Sequence, residues 1–328
     1  MLDPIFNSSL MENLLTLPWF QLIFTIIIAA LASTKATLQS FVCKRHIRNS
    51  QDSILYNTMF FVFVAIFLSM TLNTMIPNTE IIIWALLMSI GSVLFQILYS
   101  IALSAGPVSI TILIINFAVV VPTFASAVIF KEEVFVSQLL GIVCLLISFP
   151  LSIKEGGSGQ QKANKKWLIF TILTLIFDCL AMTMQKMFCV TESYKVHGAI
   201  ASNTFLVFIY VFGAVLAFGI YWCIRMFGKK DYGANKHTFK FGLSILMFAL
   251  AMGLDLAVYQ KFYMTANLKI DGSFFFPTFS GLQSVCMTTI GILVFGDRLN
   301  KRQLLGVVFG IAAVILLNVQ FGAAFTIA

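Results

Sequence analysis

Three ionisable side chains interrupt runs of apolar residues that are otherwise long enough to cross a lipid bilayer: Lys35, Asp178 and Asp255. An ionised group at mid-bilayer costs about 2.5–3.5 kcal/mol on insertion scales, so such groups face protein or water and often mark solute or proton paths. Lys35 lies about 9 Å of helical rise from the near end of its run. Its stem either snorkels to the interface or holds the ammonium in a cavity, where it binds an anionic group or pairs with Asp178. The two aspartates are too short to snorkel. Each is expected in a cavity or an ion pair, with a structural hydrogen bond to a neighbouring helix as the alternative. A charged carboxylate is costly to bury, so either aspartate is also a candidate for carrying a proton alongside a solute.

Around these charges stand amides and phenols. Gln39, Gln96, Gln185 and Gln260 each offer two donors and an acceptor oxygen, and Tyr99 and Tyr263 lie three residues beyond Gln96 and Gln260, on the same helix face. Tyr259 follows Asp255 by one turn. Asn116 and Gln283 complete the set of polar side chains expected to orient a polar solute; interhelical hydrogen bonding is the alternative role for such groups. Pro122 and Pro277 remove a backbone donor inside apolar runs, with Gly281 one turn beyond the second, and are read as hinge points or static bends.

Other chemistries find little here. The six cysteines show no CxxC spacing, so neither a disulfide framework nor a metal site is expected. His46, His197 and His237 fall between apolar runs and are given no role. Gly228-Lys229-Lys230-Asp231 lacks the spacing of a phosphate-cradling loop, so no nucleotide hydrolysis and no cofactor are expected. Two intramembrane aspartates invite comparison with bilayer aspartyl proteases, but Phe177-Asp178 and Gly253-Leu254-Asp255 do not complete the YD and GxGD motifs of that chemistry. The chain is read as a non-enzyme, with an intramembrane protease or a non-transporting receptor as rivals.

The elements that must position these residues follow from composition. Of 328 residues 59% are hydrophobic and 10% charged, against about 45–50% and about 25% in soluble domains, and the mean hydropathy is +0.96. A water-soluble fold of this length has no room to hide so much apolar surface. Ten stretches approach the roughly 20 apolar residues that span a bilayer: Trp19–Phe41, Ser53–Met75, Ile81–Leu103, Pro107–Phe130, Ser137–Ile153, Trp167–Phe188, Ala199–Ile224, Phe241–Ala266, Gly272–Phe295 and Gln303–Phe321. The fifth is short and the third and fourth are split by a single turn, so nine or eleven spans stay open.

The net charge of +8 is not a nucleic-acid signature, because the cations sit between the spans. The odd-numbered connections hold fifteen lysines and arginines, and the even-numbered connections with their flanks hold five: Lys131, Lys186, Lys195, Lys261 and Lys269. The positive-inside rule places the odd connections in the cytoplasm and both termini outside it. The first 18 residues contain no Lys or Arg, unlike the basic start of a signal peptide. The expected location is the cytoplasmic membrane of a bacterium, in a multi-pass protein that is a monomer or homodimer.

The chain also repeats. LIFTI at Leu22–Ile26 recurs at Leu168–Ile172, and the same offset pairs Thr37 with Thr183, Gln39 with Gln185 and Cys43 with Cys189. Phe95-Gln96-x-x-Tyr99 faces Tyr259-Gln260-x-x-Tyr263, and Gln138–Gly141 (QLLG) recurs at Gln303–Gly306. Residues 1–153 and 167–328 are therefore read as two five-helix repeats joined by a linker at 154–166, which is rich in Gly, Ser and Gln. Five is odd, so the second repeat enters the membrane from the opposite side, as in many secondary transporters.

This pattern resembles the drug/metabolite transporter superfamily, in its ten-span EamA-like branch. The resemblance rests on Ala105-Gly106-Pro107-Val108-Ser109, on Phe130–Glu133 followed by QLLG at Gln138–Gly141, and on Phe295-Gly296-Asp297-Arg298 followed by QLLG at Gln303–Gly306. It implies an all-α membrane protein of ten transmembrane helices, in two inverted five-helix halves around a central cavity lined by the first, third and fourth spans and their counterparts. It further implies secondary transport, export included, of small polar or amphipathic metabolites by alternating access. Known cargoes of the family include amino acids, nucleobases, drugs, nucleotide sugars and lipid-linked sugars. Two departures matter. Small four-span relatives carry an acid in the first span, where this chain has Lys35. A second departure lies in the termini: many eukaryotic members are drawn with both in the cytosol, whereas the basic loops here place them on the other side. The Glu132-Glu133 and Asp297-Arg298 corners are read as caps of the helices that follow them.

Overall fold

The computed structural model describes residues 14–45, 50–72, 74–105, 111, 114–115, 117–129, 131–152, 165–227, 243–295, 301–318 and 324–325. Among them, each of the ten apolar stretches holds one helix of ten residues or more. These are α1 (Pro18–Arg45), α2 (Ser50–Ser69), α3 (Thr79–Ala105), α4 (Val120–Ile129), α5 (Val136–Ser152), α6 (Lys165–Phe188), α7 (Glu192–Phe227), α8 (Leu243–Lys269), α9 (Gly272–Phe295) and α10 (Lys301–Asn318). A 3-10 turn at Phe117–Val119 leads into α4. Six helices, α1, α2, α3, α6, α7 and α8, are long and apolar enough to cross a membrane, and α4, α5 and α10 contain shorter apolar stretches.

Local chemistry sets the helix ends. Pro18 opens α1, where a missing N–H is harmless. Asn78 precedes α3, its backbone carbonyl accepting from Ile82 N and its side-chain carbonyl from Glu80 N. Thr191 precedes α7 and Asp271 precedes α9, each offering its carbonyl to the first turn. α7 is one run of 36 residues only in outline: Gly198 inside it has φ 54° and ψ −126°. Only glycine takes that conformation without strain, and it splits off the short segment before the span proper. Within the long helices Ser33, Thr37, Ser40, Thr58, Thr171, Thr174 and Thr183 each donate to the carbonyl four residues back. That bond satisfies a hydroxyl without water.

Helix packing has a consistent plan. α3 packs on α6 and α8 on α1; α3 packs on α7 and α8 on α2; α2 packs on α7, α4 on α9 and α5 on α10. Ser148 of α5 donates to Gly306 O of α10 at 2.7 Å, which requires the two backbones to approach closely. Two apolar clusters fill the interior, one centred on α2, α3, α7 and α8, the other on α1, α8 and α9. Large apolar side chains also stripe the exterior at helical spacing, including Ile23, Ile26 and Ile27 on α1, Ile83, Leu86, Leu87 and Ile90 on α3, and Val215, Phe218 and Trp222 on α7. Soluble proteins avoid so continuous an exposed apolar surface; in a bilayer it faces acyl chains. Val134–Phe135 and Ala324–Phe325 form a two-residue antiparallel pairing, which brings residues beyond α10 to the α4–α5 corner.

Candidate functional site: a polar cavity inside the bundle

The middle of the bundle holds a cavity of about 160 Å³ lined by α1, α2, α3, α6, α7, α8, α9 and the segment ahead of α4. Nine of the twelve polar residues singled out in the sequence lie in its wall: Lys35, Gln96, Tyr99, Asp178, Gln185, Tyr259, Gln260, Tyr263 and Gln283. They reach it from the inward faces of their helices; on α1, α3, α6 and α8 the outward face carries exposed aliphatic side chains.

Lys35 does not ion-pair with Asp178. Its ammonium donates to Gln96 Oε1 at 3.2 Å and stands 5.6 Å from the centre of the Phe95 ring. Asp178 and Asp255 both act on Lys35 through space. The charge is thus held by an amide and an aromatic face, with two carboxyls nearby. Gln96 Nε2, pinned by the Lys35 contact at the other end of the amide, is buried without a partner. Across the cavity Gln185 Nε2 donates to Gln260 Oε1 at 3.0 Å, and the Tyr210 hydroxyl also interacts with Gln260. Tyr99 stacks on Phe95 with ring centres 5.5 Å apart. Tyr259 and Tyr263 lie 5.3 Å apart, and both approach Phe279.

Two expected lining residues stand elsewhere. Gln39 is fully buried and donates to Ser100 Oγ at 3.1 Å, where Asn57 Nδ2 also donates at 3.2 Å. It ties α1 to α3 next to the cavity. Asp255 lies outside the lining, with Oδ2 buried and unpartnered. Asn116 lies outside the described residues, as do most of the 154–166 linker and the Asp297-Arg298 corner.

The expected hinges find different settings. Pro277 and Gly281 lie within α9, which runs through both, and Pro122 sits in the first turn of α4, where a missing donor costs least. The backbone break inside a described helix is at Gly198 instead.

The structure adds residues that sequence reasoning passed over. Tyr210, Ser92 and Ser280 line the cavity; a lone Tyr or Ser in an apolar run carries no signal apart from packing. Lys261 and Lys186 are loop flanks by sequence, yet both are buried. Lys261 donates to Asn203 Oδ1 at 2.6 Å, and Lys186 sits 3.2 Å from Glu132. Glu132 also corrects an expectation. It accepts from Ser273 N of α9 at 2.8 Å rather than capping α5. The turn at Lys131, with φ 53°, precedes it, and Gln138 Oε1 takes the Phe135 N–H at the start of α5.

No family model and no curated protein matches the chain. Among solved structures 27 chains match. One of them, described only as "Crystal structure of protein", superposes with a TM-score of 0.62 over 89% of this chain and 97% of its own, at 11% identity. That likeness extends to the fold.

Proposed function

We propose that the chain is a multi-pass secondary-active transporter of the EamA-like branch of the drug/metabolite transporter superfamily. On this reading it moves small polar or amphipathic metabolites by alternating access, with the exporting direction included. The observation that carries the reading is the cavity: charged and amide side chains gathered inside a bundle whose outside is apolar. A polar interior is costly within hydrocarbon, and a solute that bonds Gln96 Nε2 and approaches Lys35 and Asp178 offsets part of that cost.

Two further features support inverted halves of five spans each. Exchanging each of α1–α5 for its counterpart among α6–α10 returns much of the same packing plan: α3 on α6 becomes α8 on α1, and α3 on α7 becomes α8 on α2. At the residue scale Gln39 bonds Ser100, and the repeat offsets carry that pair onto Gln185 and Met264, which are in contact at 3.7 Å. Ten spans put both termini on the non-cytoplasmic side. The membrane is taken to be the cytoplasmic membrane of a bacterium, the protein a monomer or homodimer, and Asp178 or Asp255 the carrier of a coupling proton. The aspartyl-protease reading is disfavoured because such a pair must share one water, whereas Asp178 faces the cavity and Asp255 does not.

The test needs no known cargo. In a cysteine-free background, Ser92→Cys places one thiol in the cavity wall. With membrane-impermeant maleimide the expected outcome is labelling from each face of the membrane in turn. Labelling from one face only, under every condition, contradicts alternating access.

A further inference from the structure

Beyond the cavity, on the side away from the basic connections, four helix ends converge on the Lys186–Glu132 ion pair, with the Asp271 carboxyl nearby. Lys186 Nζ lies 3.2 Å from Glu132 Oε1 and donates to Asn267 O at 3.1 Å and Ile270 O at 3.2 Å, in and just after the last turn of α8. Glu132 Oε2 accepts from Ser273 N in the first turn of α9. A cation therefore meets the negative end of one helix and an anion the positive end of the next. Both side chains are at most one-tenth exposed. Ser273 Oγ adds a bond to Glu133 O at 3.4 Å.

The placement is what gives this cluster a function. Glu132 belongs to the first half and each of the partners just named for it and for Lys186 to the second, so the cluster joins the halves, whereas Gln39–Ser100 and Gln185–Gln260 each stay within one. It also sits directly over the cavity. Lys186 follows the lining residue Gln185, Asn267 is one turn, about 6 Å, beyond the lining residue Tyr263, and Ser273 is about two turns ahead of the lining residue Phe279. A solute leaving between α6, α8 and α9 toward that side has to pass the pair. The two charges hold each other and two helix ends, so separating them exposes several polar groups together.

We propose that Glu132 and Lys186 form the latch that closes the cavity on the non-cytoplasmic side, and that their separation opens it there in each cycle. The inference rests on the transporter reading. Its consequence is specific: the pair restrains access from the non-cytoplasmic face and not from the other.

The experiment uses Ser92→Cys in the cysteine-free full-length protein, reconstituted with known orientation. Impermeant maleimide is applied from each face to the parent, to Glu132→Gln, to Lys186→Met and to Glu133→Gln. Glu133 contributes its backbone carbonyl to the cluster, so its variant is the control. The latch predicts that Glu132→Gln and Lys186→Met raise labelling from the non-cytoplasmic face about tenfold, a shift that loss of a buried charge partner readily produces. Labelling from the cytoplasmic face stays the same or falls, and Glu133→Gln behaves like the parent. Equal rates in parent and latch variants, with labelling still seen from both faces, overturn the latch and leave the transporter reading standing. A rise from both faces together, with loss of the monodisperse elution of the parent, marks unfolding and also overturns it. No labelling from either face in any variant overturns the transporter reading itself.

Discussion

Gln39 and Gln96 belong to neighbouring helices and to the same polar cluster, yet they face different partners. Gln39 donates to Ser100 of α3 and keeps its own Oε1 buried without a donor, while Gln96, which lines the cavity, accepts from Lys35 and keeps Nε2 buried without an acceptor. The two substitutions should separate accordingly. Gln39→Leu leaves the Ser100 hydroxyl with one donor fewer and costs about 1–3 kcal/mol of stability; thermal melting in detergent should register it, with the KM for cargo little changed. Gln96→Leu also frees the Lys35 ammonium from its acceptor, so it should weaken cargo binding, read as a raised KM, beyond any loss of stability. If the two variants shift KM alike, the assignment of Gln39 to structure and Gln96 to binding fails. Both glutamines were visible in the sequence as polar outliers. Which way each amide turned was not, because that depends on Ser100 and Asn57, whose small polar side chains blend into their helices.

At the scale of the element, the apolar stretches wrote their own helices. Among the described residues each of the ten stretches holds a helix of ten residues or more, because length and hydropathy are local properties that neighbours do not change. What the sequence concealed lies where one helix meets another. Lys186 and Lys261 looked like loop flanks because a basic residue near a span end usually reaches water, but partners on adjacent helices draw them inward. Gly198 carried no mark among the other glycines, since a positive φ is imposed by the path of the chain around α7. Gly198→Ala should cost about 1–3 kcal/mol through backbone strain alone, as no atom lies within 4 Å of the added methyl. Gly272→Ala should be worse, because its methyl would strike Ser126 of α4 and the ring of Phe276. Melting temperatures of both variants, ranked in that order, check the account; a neutral Gly272→Ala would show that α4 and α9 are free to separate at no cost.

For the whole molecule the question is whether two halves of opposite orientation surround one passage. Repeated residues at Gln39 and Gln185 and at Gln96 and Gln260 are the basis in the sequence for the two-half proposal. Which solute the proposed transporter carries is not legible in the sequence, since a lysine, an aspartate, amides and phenols can hydrogen-bond many polar solutes. The most direct measurement is uptake by proteoliposomes of a panel of amino acids, nucleosides and sugar nucleotides, with Asp178→Asn beside the parent. The account predicts that the parent accumulates at least one solute and that Asp178→Asn, properly folded, loses about tenfold or more of that rate, the loss expected when one charge-assisted contact worth at least about 1.4 kcal/mol is removed. Uptake by Asp178→Asn at the parent's rate would contradict it.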